Sequence, residues 1–337
     1  WYLNHYYLIL ILAFMMIWMP ANQYFSLDRY FGFRRTVTVS SFWQNALKIQ
    51  TTIVYFFAAL AKFNADWIFE ALPLRIWLAN LNPTPGIGSF LSEYWVASLF
   101  SIGGLCYDLS IPLLLWYRRT RFIGIALVIL FHLLTAVLFP IGMFPYLMIA
   151  CAFLFLTDED WQWVLSYFFP SSMSWDAGPI SNEKANLPSK NSFSLIQGIL
   201  VVHLLIQVIL PSRRFFHQDA YLWTERHFRF GWNVMIVDKK GLTTFKVYNH
   251  DSNAEWRIDP LEHLTPVQNL YMSYQADMIW QFAQFLKTDL NAKGFTNISI
   301  YPDSFVTLNG RPSKRYLPTD LDLLSIKMSH IYRYVLD

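Results

Sequence analysis

Charge is what this chain of 337 residues has least of: Asp, Glu, Lys and Arg make up 15% of it, against 55% hydrophobic and 18% aromatic residues. A soluble domain of this length needs more polar surface than that, so the balance points to a membrane protein. The formal net charge is +3 and the basic residues form no stripe, which excludes nucleic acid as the expected partner. The two cysteines, Cys106 and Cys151, both sit in apolar runs and read as small core residues, so they say little about redox compartment. Metal-ligand clusters, phosphate-binding loops, dinucleotide fingerprints and nucleophile elbows are missing from the sequence, and no metal is expected. No internal repeat and no signal peptide stand out. The chain opens at Trp1 without Met, so a missing natural N-terminus is expected.

Long apolar runs are what the sequence does have. Six stretches approach the length needed to cross a bilayer, at roughly 4–20, 42–63, 94–117, 122–139, 141–157 and 194–211. After Pro211 the character changes. "GWNVMIVDKKGLTTFKVYN" reads as two strands around a Lys-Gly turn, "ADMIWQFAQFLKTDL" as an amphipathic helix, and "ISIYPDSFVTLNGRP" as another pair of strands. The expected fold is an α-helical integral membrane bundle over 1–211, followed by a smaller β-rich, α+β soluble domain over 212–337. Membrane lipid is then an expected partner. The basic loop "YRRTRF" at 117–122 is the strongest cytoplasmic signal. Alternation puts 21–41, with Arg29, Arg34 and Arg35, and the polar stretch 157–193 on that side as well. It puts 64–93 and the C-terminal domain outside, periplasmic or lumenal, in a multi-pass protein.

"YFFAALAKFNADW" at 55–67 runs almost pure hydrocarbon into Lys62. Two bland explanations are available: snorkelling from a helix end to the interface, and an i,i+4 ion pair with Asp66. The chemical explanation is a general base, since desolvation favours an uncharged amine. Lys48, at the inner end of the same stretch, is expected to snorkel. His132 lies deep in "ALVILFHLLTAVLF", and ionisable residues at such depth face the bundle interior and often mark the working site. Asp108, in "GGLCYDLSIP", follows two glycines that suggest close helix packing. His203 and Gln207 are left as interhelical hydrogen-bonding groups.

Taken in order, "WYLNHYYL", "ANQYFSLDRYFG", "YFFAALAKFNADW", "YDLSIPLLLWY", "FHLLTAVLFPIGMFPYLMIA", "AYLWTERHFRFGWNVM", "QADMIWQFAQFL" and "LNGRP" resemble the vitamin K-dependent γ-glutamyl carboxylases and their bacterial relatives, which share a horizontally transferred transmembrane (HTTM) domain. The pieces span nearly the whole chain. The resemblance implies oxidation of reduced vitamin K (a naphthohydroquinone) by O2 to the epoxide, coupled to proton removal from a glutamyl γ-carbon and capture of CO2. It implies a glutamyl-containing protein or peptide as substrate. Lys62 matches the family's catalytic base, His5 the histidine that positions it with Asn4 alongside, and His132 a second active-site histidine. Ile141, Met143 and Phe144 match the turn beside the quinone ring, and Trp223 and Met235 fall on positions near the quinone or glutamate pocket. Arg214, Phe228 and Lys239 stand where the animal enzymes carry a histidine, a tyrosine and an arginine on the substrate side. That altered set leaves a quinone epoxidase without protein carboxylation, or with another acceptor, as an alternative. A non-catalytic membrane receptor or transporter is the third reading, with neither polar-lined spans nor inverted repeats in its favour.

Overall fold

The computed structural model describes residues 2–19, 27, 31, 40–81, 88–168, 195–216 and 220–336. Arg29, Arg34 and Arg35 and the polar stretch 170–193 lie outside the described residues. Among those described, the helices of ten residues or more are α1 (Asn4–Ile17), α2 (Ser41–Lys62), α3 (Tyr94–Trp116), α4 (Arg121–Leu138), α5 (Phe144–Phe153), α6 (Asp158–Phe168), α7 (Leu195–Ser212) and α8 (Ala276–Ala292). The chain divides into two compact units. One comprises Trp1–Phe63, Gly103–Ser212 and Arg229–Val234, and the other Asn64–Ile102, Arg213–Phe228 and Met235–Asp337.

The helices of the first unit are inside out by the standards of a soluble protein. On α4 the buried positions Arg121, Gly124, Ile125, Val128, His132 and Thr135 recur at helical spacing, and most are small or polar. The exposed ones are Phe122, Ile123, Ala126, Leu127, Leu130, Leu133, Leu134 and Val137, every one apolar. Water would penalise that arrangement and lipid rewards it. Gly124 serves the packing: an added Cβ would come within 3.2 Å of Leu114 and Leu115 on α3.

Among the described residues, three helices are long and apolar enough to cross a membrane: Tyr94–Trp116, Arg121–Leu138 and Leu195–Phe216. The other three expected spans come out differently. Asn4–Ile17 and Phe144–Phe153 are apolar but shorter, the latter starting only at Phe144, capped by Met143, and ending by Leu154. Ser41–Lys62 has the length, at 22 residues, but its stretch up to Thr52 carries Gln44, Asn45, Lys48, Gln50, Thr51 and Thr52. Gln44 uses its amide to satisfy the Leu154 and Leu156 carbonyls at 2.8 and 2.9 Å. Lys48 does not snorkel freely. It is buried to 7% exposure, with its ammonium 5.9 and 6.0 Å from the Trp116 and Phe155 rings.

The second unit is built on an antiparallel sheet in the order β2-β1-β3-β4, with β1 Lys239–Asn249, β2 Ala254–Ile258, β3 Ile298–Leu308 and β4 Lys314–Arg315. Phe245 and Val247 on β1 and Ile300 and Val306 on β3 alternate inward. They share a core with Ile279, Phe282, Ala283, Leu286 and Leu290, the apolar stripe of α8. Each large side chain buried there is worth about 1.5–3 kcal/mol of transfer free energy. The expected pairs of strands are instead two long single strands. The Lys-Gly pair is no turn: Gly241 lies within β1, opposite Val306. Its hydrogen is needed because a Cβ would collide with the Ser273 carbonyl, which also accepts from the Thr243 hydroxyl at 2.8 Å. In β3, Pro302 is tolerated because β4 pairs only with Phe305 and Val306.

Asp66 belongs to this unit and has a structural task. Both oxygens take the Arg311 guanidinium at 2.7 Å, and Oδ2 also accepts from Asn309 at 2.7 Å. Asn309 in turn accepts from the Asp238 amide, and Asp238 accepts from the Trp77 indole at 3.1 Å. The "ADW" and "LNGRP" segments are thus one connected set of contacts.

The glycine argument is testable by thermal unfolding of the purified chain. Gly241→Ala is expected to cost about 1–3 kcal/mol through overpacking. Gly103→Ala, where an added Cβ meets nothing within 4 Å, should be neutral or slightly stabilising, since alanine favours helix by up to about 1 kcal/mol. Equal effects at the two sites would refute the close-contact account.

Candidate active site

Lys62 is the last residue of α2, and Tyr55 lies two turns before it on the same face. Across from that face is α3, carrying Tyr107 and Asp108. Lys62 Nζ donates to Asp108 Oδ2 at 2.6 Å and to the Ala58 carbonyl at 3.2 Å. The two charged side chains are each only 9% exposed. Deeper in, the Tyr55 hydroxyl meets the Tyr107 hydroxyl at 3.4 Å and His132 Nε2 at 3.2 Å. Tyr107 stacks on Phe131 with centroids 3.8 Å apart, and the His132 ring lies 6.3 Å from Phe144. His132 Nδ1 is buried with no hydrogen-bond partner.

His5 and Asn4 open α1. Asn4 accepts from the Tyr2 hydroxyl at 2.9 Å and donates to the Asn233 carbonyl at 3.1 Å. The His5 ring packs 4.5 Å from Tyr6 and lies against Gly142, whose φ of +65° shapes the Ile141–Phe144 turn; a Cβ there would stand 3.7 Å from the imidazole. Ile141 is half-buried, Met143 exposed and Phe144 buried. No hydrogen bond between His5 and Lys62 is found among the described residues. Nor is Asp66 the partner of Lys62, as its spacing suggested; Asp66 is committed to Arg311.

The substrate-side residues fall into two groups within the second unit. Arg214 donates to the Tyr221 hydroxyl at 3.1 Å, and Tyr221 packs on Phe228 with centroids 4.8 Å apart. Lys239 is closed in. Its side chain is 1% exposed, 3.9 Å from the Glu225 carboxylate, and bonded to the Trp223 carbonyl at 2.5 Å. The rings of Trp223, Tyr274 and Tyr316 surround the amine at 4.7 to 5.7 Å. Burial pushes the amine down from 10.5 to about 8, and the Glu225 charge opposes that shift. Trp223 gives its indole N–H to the Leu336 carbonyl. Met235 ends a run in which Glu225, His227, Phe230, Trp232 and Met235 all have positive φ, a density of strain uncommon outside functional segments.

Sequence reasoning missed Asp108 as the lysine's partner and missed Tyr55, Tyr107, Glu225 and Tyr316 altogether. One signal was available: Tyr55 and Lys62, seven apart, fall on one face of a helix. The Asp108 pairing, 46 residues away in sequence, had none.

Residues 1–161 match the sequence model of the HTTM domain, and residues 192–335 match that of the vitamin K-dependent gamma-carboxylase, lumenal domain. No solved structure matches the chain.

The buried amine of Lys239 makes stability depend on pH. Below pH 8 folded and unfolded chains both hold its proton. Between 8 and the ordinary 10.5 only the unfolded chain does, so stability rises with pH. Unfolding of the wild type should therefore become harder by roughly 1–2 kcal/mol between pH 8 and about 9.5, and Lys239→Met should lack that rise. Parallel pH curves for the two proteins would show that Lys239 keeps its proton.

Proposed function

Because the chain belongs to the vitamin K-dependent gamma-carboxylase family, we propose that it is a membrane enzyme that couples oxidation of a reduced naphthoquinone by O2 to carboxylation of glutamyl side chains with CO2. The observation that carries this reading is Lys62, an amine held among apolar helices with its side chain 9% exposed. Removing a proton from a weakly acidic hydroxyl calls for a base of that kind, shielded from water. The neighbouring residues suit a flat aromatic ligand. His132 keeps a buried ring nitrogen unsatisfied, and Phe144 and Tyr107 supply apolar wall around it. Reduced vitamin K, when bound, supplies through its oxidation the driving force for taking the γ-proton from the glutamyl residue.

The chain's own residues do the holding and the proton work. Lys62 takes the hydroxyl proton. His132, oriented by Tyr55, offers its free nitrogen to a ligand oxygen. Asn4 and His5 line the site with the Ile141–Phe144 turn, which His5 supports at Gly142. Arg214, with one donor on Tyr221, keeps its others for a carboxylate, and Phe228 packs beneath that tyrosine. The part of the lumenal-domain match that follows α7 faces the extracytoplasmic side, where a secreted glutamyl substrate would be met.

One observation favours a second reading, quinol oxidation with another acceptor or none. Lys239 stands where the animal enzymes carry an arginine, and Glu225 and three rings engage its amine rather than leaving it open to substrate.

The deciding experiment uses the purified chain in lipid nanodiscs with reduced vitamin K, O2 and a glutamyl peptide, scoring epoxide and fixed labelled CO2 separately. Lys62→Ala alone strands a buried Asp108, a change worth about 3–5 kcal/mol, so Lys62→Ala/Asp108→Asn should be assayed beside it. Both should lose epoxide formation about 100-fold or more. A folded variant with full epoxide formation sinks the base assignment. A wild type that makes no epoxide from any reduced naphthoquinone turns the reading to a non-catalytic membrane protein.

A further inference from the structure

We infer that Asp108 is the positioning residue for the Lys62 amine, an assignment that rests on Lys62 being the base proposed above. The pair is not needed to join α2 to α3. Thr52 already accepts from the Trp116 indole at 2.9 Å, and Tyr55 already meets Tyr107. A buried ion pair is also a poor device for stability, since apolar residues in its place avoid the desolvation of two charges. A second buried pair among the described residues of this unit differs. Asp160 binds Arg121, but it also accepts from the Thr157 amide at 2.9 Å and the Thr157 hydroxyl at 2.8 Å, so it helps to start α6. The described hydrogen bonding of Asp108 goes to Lys62 alone.

Asp108 Oδ2 and the Ala58 carbonyl both accept from Nζ and so help to fix where it sits. The carboxylate also gives the ammonium proton a place to go. When it moves along the 2.6 Å contact, an N–H bond on Nζ breaks, an O–H bond on Oδ2 forms, and both charges vanish together. An ammonium–carboxylate pair becomes an amine beside a carboxylic acid, with no net charge stranded among the helices. In that form Nζ carries the lone pair that a base requires.

Two measurements on the full chain in nanodiscs test this. The first is rescue of Lys62→Ala by methylamine, read as the concentration giving half-maximal restoration of quinol oxidation. Asp108 should capture the added amine, so in Lys62→Ala/Asp108→Asn that concentration should rise about tenfold. The double variant leaves no unpaired charge, which guards its folding. The second measurement needs no turnover: acetylation of Lys62 by acetic anhydride, followed by mass spectrometry of the peptide. Asp108→Asn removes the acceptor that engages the amine, and labelling should quicken about tenfold. Lys48, on the same helix and as buried as Lys62 at 7%, should keep its rate. If Lys48 also quickens, the bundle has loosened and Asp108→Glu decides: slow Lys62 labelling there supports the assignment and fast labelling refutes it. Unchanged Lys62 labelling in Asp108→Asn with Lys48 steady overturns the assignment, whatever methylamine does, and so does equal half-saturation in the two backgrounds. Full oxidation by Lys62→Ala without amine instead defeats the base reading, while labelling still reports on Asp108.

Discussion

The Lys62–Asp108 pair constrains the first unit more than any apolar contact does, because its tolerance for error is so small. A hydrocarbon side chain displaced by an ångström loses a fraction of a kcal/mol. A buried ammonium displaced from its carboxylate leaves two stranded charges, and each costs several kcal/mol. Tyr55 opposite Tyr107 and Thr52 opposite Trp116 hold α2 and α3 at the register where Nζ reaches Oδ2 within that tolerance. His132 then completes the line of hydroxyls from α4. The apolar remainder of these helices supplies the low dielectric that makes the pairing strict.

The chain buries Lys239 by another route. Lys239 keeps its carboxylate at 3.9 Å, where Lys62 has one at 2.6 Å, and replaces close ionic contact with three aromatic faces and a backbone carbonyl. Ring quadrupoles stabilise a cation without offering it a proton acceptor. The two solutions suit different tasks. A lysine meant to exchange its proton benefits from a basic oxygen in contact, while one that fills and orders a core does better among rings.

Local periodicity explains how much of this was legible beforehand. The apolar runs, the stripe of α8 and the change of character after Pro211 are carried by residues within a few positions of one another, and each corresponds to an element of the structure. The oddity of Lys62 was equally visible, because a lysine amid hydrocarbon stands out wherever it lies. Its partner was not, since Asp108 follows two glycines that offered a sufficient excuse for it and no spacing rule links positions 62 and 108. Gly241 misled for a related reason. Glycine after lysine between apolar segments has the look of a turn, and only the approach of Ser273, 32 residues on, shows that the missing side chain makes room for another segment's backbone. Lys48 misled because the rings that cover it come from α3 and from Phe155, far along the chain.

The second unit is discontinuous, and that has a consequence in time. Asp66 and Arg311 are 245 residues apart, and Trp77 waits for Asp238 across 161. Ribosomes add about 5–20 residues per second, so roughly 12 to 50 seconds pass before the carboxylate of Asp66 meets its guanidinium. Throughout that interval the stretch 64–81 has left the ribosome without the sheet that completes it. The apolar helices Arg121–Leu138 and Leu195–Phe216 are made within that interval, while the half-domain is still unfinished. A cell making this protein has to shelter that half-domain, and a fragment starting at residue 213 would inherit the opposite defect: a sheet whose Arg311 and Asp238 have lost the partners made first.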